Sequence, residues 1–166
     1  MNVSPRQLGT TDLPDIVRIA LHTTGVAPER LCLEITETAL LNEGDAIGGT
    51  LGALKGLGAR LAIDDFGVGH ASLMQLRRML PVDTLKIDKS FVDGIVSDAE
   101  DSAIVAGVVQ LAHSLGLVAV AEGVEHAEQA AILARMGCQA AQGYLFARPQ
   151  EPDAIAAMLA AEQATP

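Results

Sequence analysis

The chain has 166 residues, with 21 acidic against 11 Lys and Arg side chains and a net charge of −10. That length suggests one domain with a sizeable core, which must be Leu, Val, Ile, Ala and Met because aromatics are 2% and Trp is absent. A nucleic-acid groove, which needs a basic face with stacking aromatics, is excluded, no apolar run approaches the ~18 residues of a membrane span, and no signal peptide is visible. An acidic protein still binds phosphates when metal ions reverse the local charge.

The opening "MNVSPRQL" reads as the end of a strand followed by a helix start, with Ser4 as cap and Pro5 at the first helical position. "RLCLEIT" (Arg30–Thr36) is the first full strand run, followed by the helical "EGDAIGGTLGALKGLG" over 43–58. "RLAIDD" (Arg60–Asp65) leads to the helical "HASLMQLRRML" over 70–80. "VDTLKID" (Val82–Asp88) leads to a helix over 102–116, where Ile104, Val105, Val108, Val109, Leu111, Ala112 and Leu115 form a broad apolar face. "LVAVAEG" (Leu117–Gly123) leads to "HAEQAAILARMG", and "CQAAQGYLF" (Cys138–Phe146) to "EPDAIAAMLAAEQ". Gly58, Gly116 and Gly137 close helices just before the next strand. Five βα units and a strand stub imply a parallel α/β sheet with helices outside it. Residues 1–160 are expected to form a single domain, with 161–166 as a frayed tail. Gly67 and Gly69 give G-x-G without the third glycine of a dinucleotide fingerprint. Cys32 and Cys138 lack CxxC spacing and read as reduced, buried thiols of a cytosolic protein.

Polar residues stand at the C-terminal end of every unit. Asn2 belongs to the stub; Glu34 and Glu37, then Asp64 and Asp65, then Lys86 and Asp88, then Glu122 and Glu125, and finally Gln142 follow. In a parallel barrel that end is the mouth where chemistry sits. Burying so many acids uncompensated costs several kcal/mol each. Mg²⁺ or Mn²⁺ removes the difficulty, because hard cations prefer carboxylate and carboxamide oxygens. The adjacent Asp64 and Asp65 suit two ions a few Å apart, an arrangement that clamps a phosphodiester and generates hydroxide. Lys86 adds a fixed positive charge near the attacking water.

"LEITET", "IDDFGVGHASL", "LPVDTLKIDKSFV", "VAEGVE" and "QGYLFARP" resemble the EAL-domain family, bacterial phosphodiesterases that open cyclic di-GMP to linear pGpG. The resemblance implies a TIM-like barrel, two Mg²⁺ or Mn²⁺ ions and often a dimer. By the same resemblance, Asn2, Glu34 and Asp64 match ligands of one ion, and Asp64, Asp65 and Glu122 those of the other. Lys86 matches the lysine that holds the catalytic water, and Gln142 a residue near that site, so Lys86, Glu122 and Gln142 are the catalytic candidates. Glu37 and Glu125 match residues that anchor the loop after Asp65.

The sequence also departs from the family pattern. The Glu-Ala-Leu motif, whose glutamate would be a ligand of the first ion, does not occur in the 166 residues. The first strands and their substrate-binding arginine are missing as well, and a TIM-type barrel usually needs ~200 residues or more. The expected fold is therefore an incomplete TIM-like (β/α) barrel, the C-terminal two-thirds of the full one. In the loop the family usually reads DDFGTGYSS, and here Val68, His70 and Ala71 replace a Thr, a Tyr and a Ser. The stretch around Arg78 is one residue longer than usual. Two functions follow: a cyclic di-GMP phosphodiesterase whose isolated chain is weak or inactive, or a non-catalytic EAL-like module that binds a protein partner or the nucleotide. Expected partners are cyclic di-GMP and a second copy or an upstream sensory or diguanylate-cyclase-type domain, with no nucleic-acid polymer, in the cytoplasm.

Overall fold

The computed structural model describes residues 1–68 and 81–163, with the backbone alone for 41–46 and 161–163. The chain enters as an edge: Asn2 makes a parallel bridge with Glu34, and the Val3 N–H donates to Glu34 O at 2.9 Å. The first helix, α1 (Pro5–Leu8), opens as expected. Ser4 caps it, donating its N–H to Gln7 Oε1 and accepting the Gln7 N–H on its hydroxyl. It ends after one turn, and a second helix, α2 (Leu13–Thr24), which was not among the expected elements, buries Leu13 and Val17 and leaves Ile16 and Ile19 exposed.

Among the described residues five strands follow: β1 (Cys32–Thr36), β2 (Arg60–Phe66), β3 (Thr84–Ile87), β4 (Val118–Ala121) and β5 (Ala140–Ala141). All neighbours are parallel, and the order in space is the order in sequence. Parallel neighbours need crossovers. These are α3 (Glu37–Gly56) after β1, α4 (Lys89–Gly94) and α5 (Ala99–Ser114) after β3, and α6 (Ala127–Met136) after β4, with α7 (Pro152–Gln163) after β5. The expected helix over 70–80, with His70, Ala71 and Arg78, lies outside the described residues. Among the described residues the sheet does not close: the bridge at Asn2 forms one edge and β5 the other. No helix among them is long and apolar enough to cross a membrane.

Three expectations need correction. α3 begins at Glu37, directly after β1, not at residue 43. Glu37 sits in the first turn, where a carboxylate meets the positive end of the helix dipole, and Ala39 and Leu40 are already buried. β5 is two residues long, not the whole of Cys138–Phe146. The chain turns at Gly143, with φ 156°, against the peptide of Val124, where a Cβ would run into backbone. Hydrogen bonds from Val124 N to Gln142 O and from Leu145 N to Val124 O fix that turn at 3.0 Å each. Cys32 and Cys138 are free but only half-buried; burial pushes both thiols up in pKa, which keeps them unreactive. The helix-closing glycines Gly58, Gly116 and Gly137 all take the expected positive φ.

Side chains alternate between the two faces of a strand. Leu33, Ile35, Leu61, Ile63, Leu85, Ile87, Ala119 and Ala121 are fully buried, joined in one core with Leu51 and Leu54 of α3 and Val105 and Val109 of α5. The register aligns Leu33 with Leu61, Ile63 with Leu85 and Leu85 with Ala119. By the same alternation Glu34, Asp64, Lys86, Glu122 and Gln142 belong to the opposite face. The packing that hides the apolar set thereby gathers the polar one.

Candidate metal centre

Lys86 stands at the middle of the polar face and is 5% exposed. Its Nζ lies 2.8 Å from Glu34 Oε2, 2.7 Å from Asp64 Oδ1 and 2.6 Å from Glu122 Oε1. Three carboxylates from three different strand ends thus share one ammonium. Burial pulls the Lys86 pKa down, but hydrogen bonds to Asp64, Glu122 and Glu34 outweigh it and hold the pKa above the ordinary value. The group is a fixed cation and a hydrogen-bond donor, not a base.

Adjacent residues of a regular strand point to opposite faces, so Asp64 and Asp65 ought not to share a site. A register shift between Ile63 and Phe66 resolves this, with Asp65 in the left-handed region at φ 53°. A bulge of this kind re-aims a side chain. As a result, oxygens of Asp64, Asp65 and Glu122 lie within 4.8 Å of one another. Burial raises the Asp65 pKa, and the charges of Asp64 and Asp88 raise it further. Burial raises Glu122 despite the pull of Lys86. In both groups burial is the leading cause, with the neighbouring carboxylates adding to it. Three converging carboxylate oxygens are the donor set a hard divalent cation prefers, so the residues fit such an ion.

The remaining candidates stand around this group. Glu34 reaches the cluster through Lys86 and is outside the mutual 4.8 Å set. Asn2 is exposed and faces Glu34 across the bridge. The Gln142 Nε2 donates to Glu122 Oε1 at 2.6 Å. Glu37, 2% exposed, accepts the Gly67 N–H on Oε2 at 2.9 Å and so holds the chain just past Asp65. Glu125 pairs with Lys89 of α4 at 3.0 Å. A pocket of about 370 Å³ opens beside the cluster, lined by Thr36, Glu37, Thr38, Asp65, Val68 and Asp88.

Asp88 has no assigned role in the sequence pattern, yet it contacts Asp65. It is also the N-cap of α4, accepting from Ser90 N at 2.9 Å. Burial would raise its pKa, but the hydrogen bonds from Ser90 prevail and hold it low. The Asp-x-Ser spacing before a helix is the signal that marks it. Gln129, buried on α6, is marked only by its place three residues after the N-cap His126.

A profile of the EAL domain family matches residues 1–149. The bifunctional diguanylate cyclase/cyclic di-GMP phosphodiesterase MucR of Pseudomonas aeruginosa is 40% identical over 160 residues, 96% of this chain and 23% of MucR. The solved EAL domain of Mycobacterium smegmatis DcpA superposes with a TM-score of 0.90 at 42% identity, over 96% of this chain and 71% of that one. Klebsiella pneumoniae BlrP1, solved as a manganese/cyclic di-GMP complex, superposes with a TM-score of 0.84 at 37% identity, over 90% of this chain and 38% of that one. The chain spans about a fifth to a quarter of the length of the curated relatives it matches. Motif order, the acids at the strand ends and the superpositions agree along nearly the whole chain, which belongs to the EAL domain family.

Proposed function

We propose that this chain carries most of the metal centre of a cyclic di-GMP phosphodiesterase, which opens the cyclic dinucleotide to linear pGpG. The observation that supports it most is the convergence of Asp64, Asp65 and Glu122 beside a buried ammonium. Asp64, Asp65 and Glu122 would hold one Mg²⁺ or Mn²⁺, and Asn2, Glu34 and Asp64 the other. Two hard cations, when bound, supply an activated water and stabilise the leaving oxygen of a phosphodiester. Lys86 commits its three N–H bonds to Glu34, Asp64 and Glu122 and keeps its proton; a carboxylate that turned to an ion would free one N–H for the water. The Gln142 amide fixes one Glu122 oxygen, leaving the other for an ion. Glu37 holds Gly67, and through it the bulge that aims Asp65. MucR is named for this activity and BlrP1 was solved with cyclic di-GMP and with manganese or calcium. The same reading carries a cytoplasmic site, one domain over residues 1–160, and regulation by a second copy or by an upstream sensory or diguanylate-cyclase-type domain.

A specific observation favours a second reading, a non-catalytic module. Lys86 already gives one oxygen of each of Glu34, Asp64 and Glu122 a charged hydrogen-bond partner. Titration calorimetry with Mn²⁺ separates the two. The wild type is expected to take up the ion weakly, and Asp65→Asn to lose uptake, because one of three charged ligands becomes neutral. Equal uptake by both proteins overturns the assignment.

A further inference from the structure

Glu122 stands one residue past the end of β4, where the ladder stops holding the chain. Its own N–H still donates to Ile87 O at 3.1 Å. The segment beyond it is gripped by Gln129, in the first turn of α6 and 2% exposed. Gln129 Oε1 accepts the backbone N–H of both Glu125 and His126 at 2.9 Å. Its Nε2 donates to Val92 O of α4 at 3.0 Å. The accepting half is an ordinary helix-start contact. The donating half reaches across to another helix, which capping does not require. α4 begins three residues after Lys86, so one buried amide ties the segment that follows Glu122 to the segment that follows Lys86. These are the two residues whose ion pair closes the polar cluster at 2.6 Å. A buried carboxamide is costly unless its bonds are made. Here both ends are bonded, and the partners belong to two separate elements.

We infer that Gln129 is a positioning residue for the centre: its buried amide fixes Glu122 relative to Lys86 and Asp64 by tying the chain after β4 to α4. The inference rests on the metal reading above. Partners that orient metal ligands typically contribute tenfold to a hundredfold in affinity.

The test uses Gln129→Met, Gln129→Glu and Leu133→Ala in the full chain, with Mn²⁺ calorimetry, thermal melting and backbone hydrogen exchange. Gln129→Met is expected to weaken Mn²⁺ uptake by about tenfold to a hundredfold and to lose protection at the Glu125 and His126 amides. Gln129→Glu keeps the accepting oxygen and, protonated in this buried place, the donor too, so it recovers most of both. Leu133, 2% exposed on the same helix, tests destabilisation alone: Leu133→Ala lowers the melting temperature and keeps the wild-type affinity. Wild-type affinity in Gln129→Met, or an equal loss in Leu133→Ala, overturns the inference. Should the wild type take up no Mn²⁺, the metal reading fails by itself and exchange decides. Unchanged protection at Glu125 and His126 in Gln129→Met then overturns the tie, and loss confined to the segment after Glu122 upholds it.

Discussion

Lys86→Met is expected to lower the melting temperature by roughly 6–20 °C in metal-free buffer. Removing one partner of a buried ion pair costs about 3–5 kcal/mol, and 1 kcal/mol is worth about 2–4 °C in a chain of this size. The loss arises because Glu34, Asp64 and Glu122 then face one another with no cation between them. Methionine fills the space of the lysine stem, so the effect reports charge more than volume. Two further readings follow from the same physics. Saturating Mn²⁺ restores much of the melting temperature, since an ion replaces the missing charge. Lower pH does the same. Burial already raises Glu122 above the ordinary carboxylate pKa, and without the ammonium it rises further. A carboxyl whose folded pKa exceeds its unfolded one binds more protons when folded, so stability is lost as pH climbs through the carboxylate range and returns as pH falls. Thermal scans at several pH values with and without Mn²⁺ check all three. A melting temperature unchanged from the wild type shows that Lys86 is not the counter-ion of the cluster.

Asp64→Asn carries the largest expected effect on turnover. Asp64 is the one residue the proposal gives to both ions, so its neutralisation weakens both at once. One bound cation contributes several kcal/mol of charge stabilisation, and each 1.4 kcal/mol is tenfold in rate, so kcat is expected to fall by about a thousandfold or more. The amide oxygen of Asn still accepts from Lys86 Nζ, now 2.7 Å from Asp64 Oδ1, so folding is little affected. The 166 residues contain no Glu-Ala-Leu, and alone they are expected to turn cyclic di-GMP over slowly or not at all. The comparison is therefore made in a fusion that supplies an upstream segment bearing that motif. Hydrolysis of cyclic di-GMP is followed by chromatography of pGpG. A kcat within tenfold of the parent fusion removes Asp64 from the metal set. A rise in KM alone would make it a binding residue.

The parallel sheet was legible because each strand ends in a polar residue and three of the helices close on a glycine, Gly58, Gly116 and Gly137, at one βα unit per step. The same spacing exposed the strand-end acids. What the sequence hid was local. A bulge has no periodic signature, so "IDD" announced two acids at a strand end without saying how both reach one site; the left-handed Asp65 answers that. The short β5 was hidden because "CQAAQGYLF" is apolar enough for a longer strand, and only the close approach of Val124 to Gly143 ends it. α2 was missed although its marks are ordinary ones: Pro14 in the first turn, Leu13, Val17 and Leu21 at helical spacing, and the left-handed Gly25 that closes it. Gln129 stands three residues after the N-cap His126, where a helix start often has Gln, but its bond to Val92 of another helix is one that no side-chain pattern encodes.

The left-handed backbone of Asp65 sets heat resistance and chemistry against each other at a single codon. A side chain held at φ 53° is strained relative to glycine, by less for Asp than for most residues, and Asp65 adds the repulsion of Asp64 and Asp88. Glycine would relieve both at once. A library of this chain sorted only for survival at high temperature is therefore drawn toward glycine at position 65, and every such winner has discarded a carboxylate of the centre. Sorting that alternates heat with Mn²⁺ uptake keeps the aspartate and forces the gains in stability to come from elsewhere in the fold.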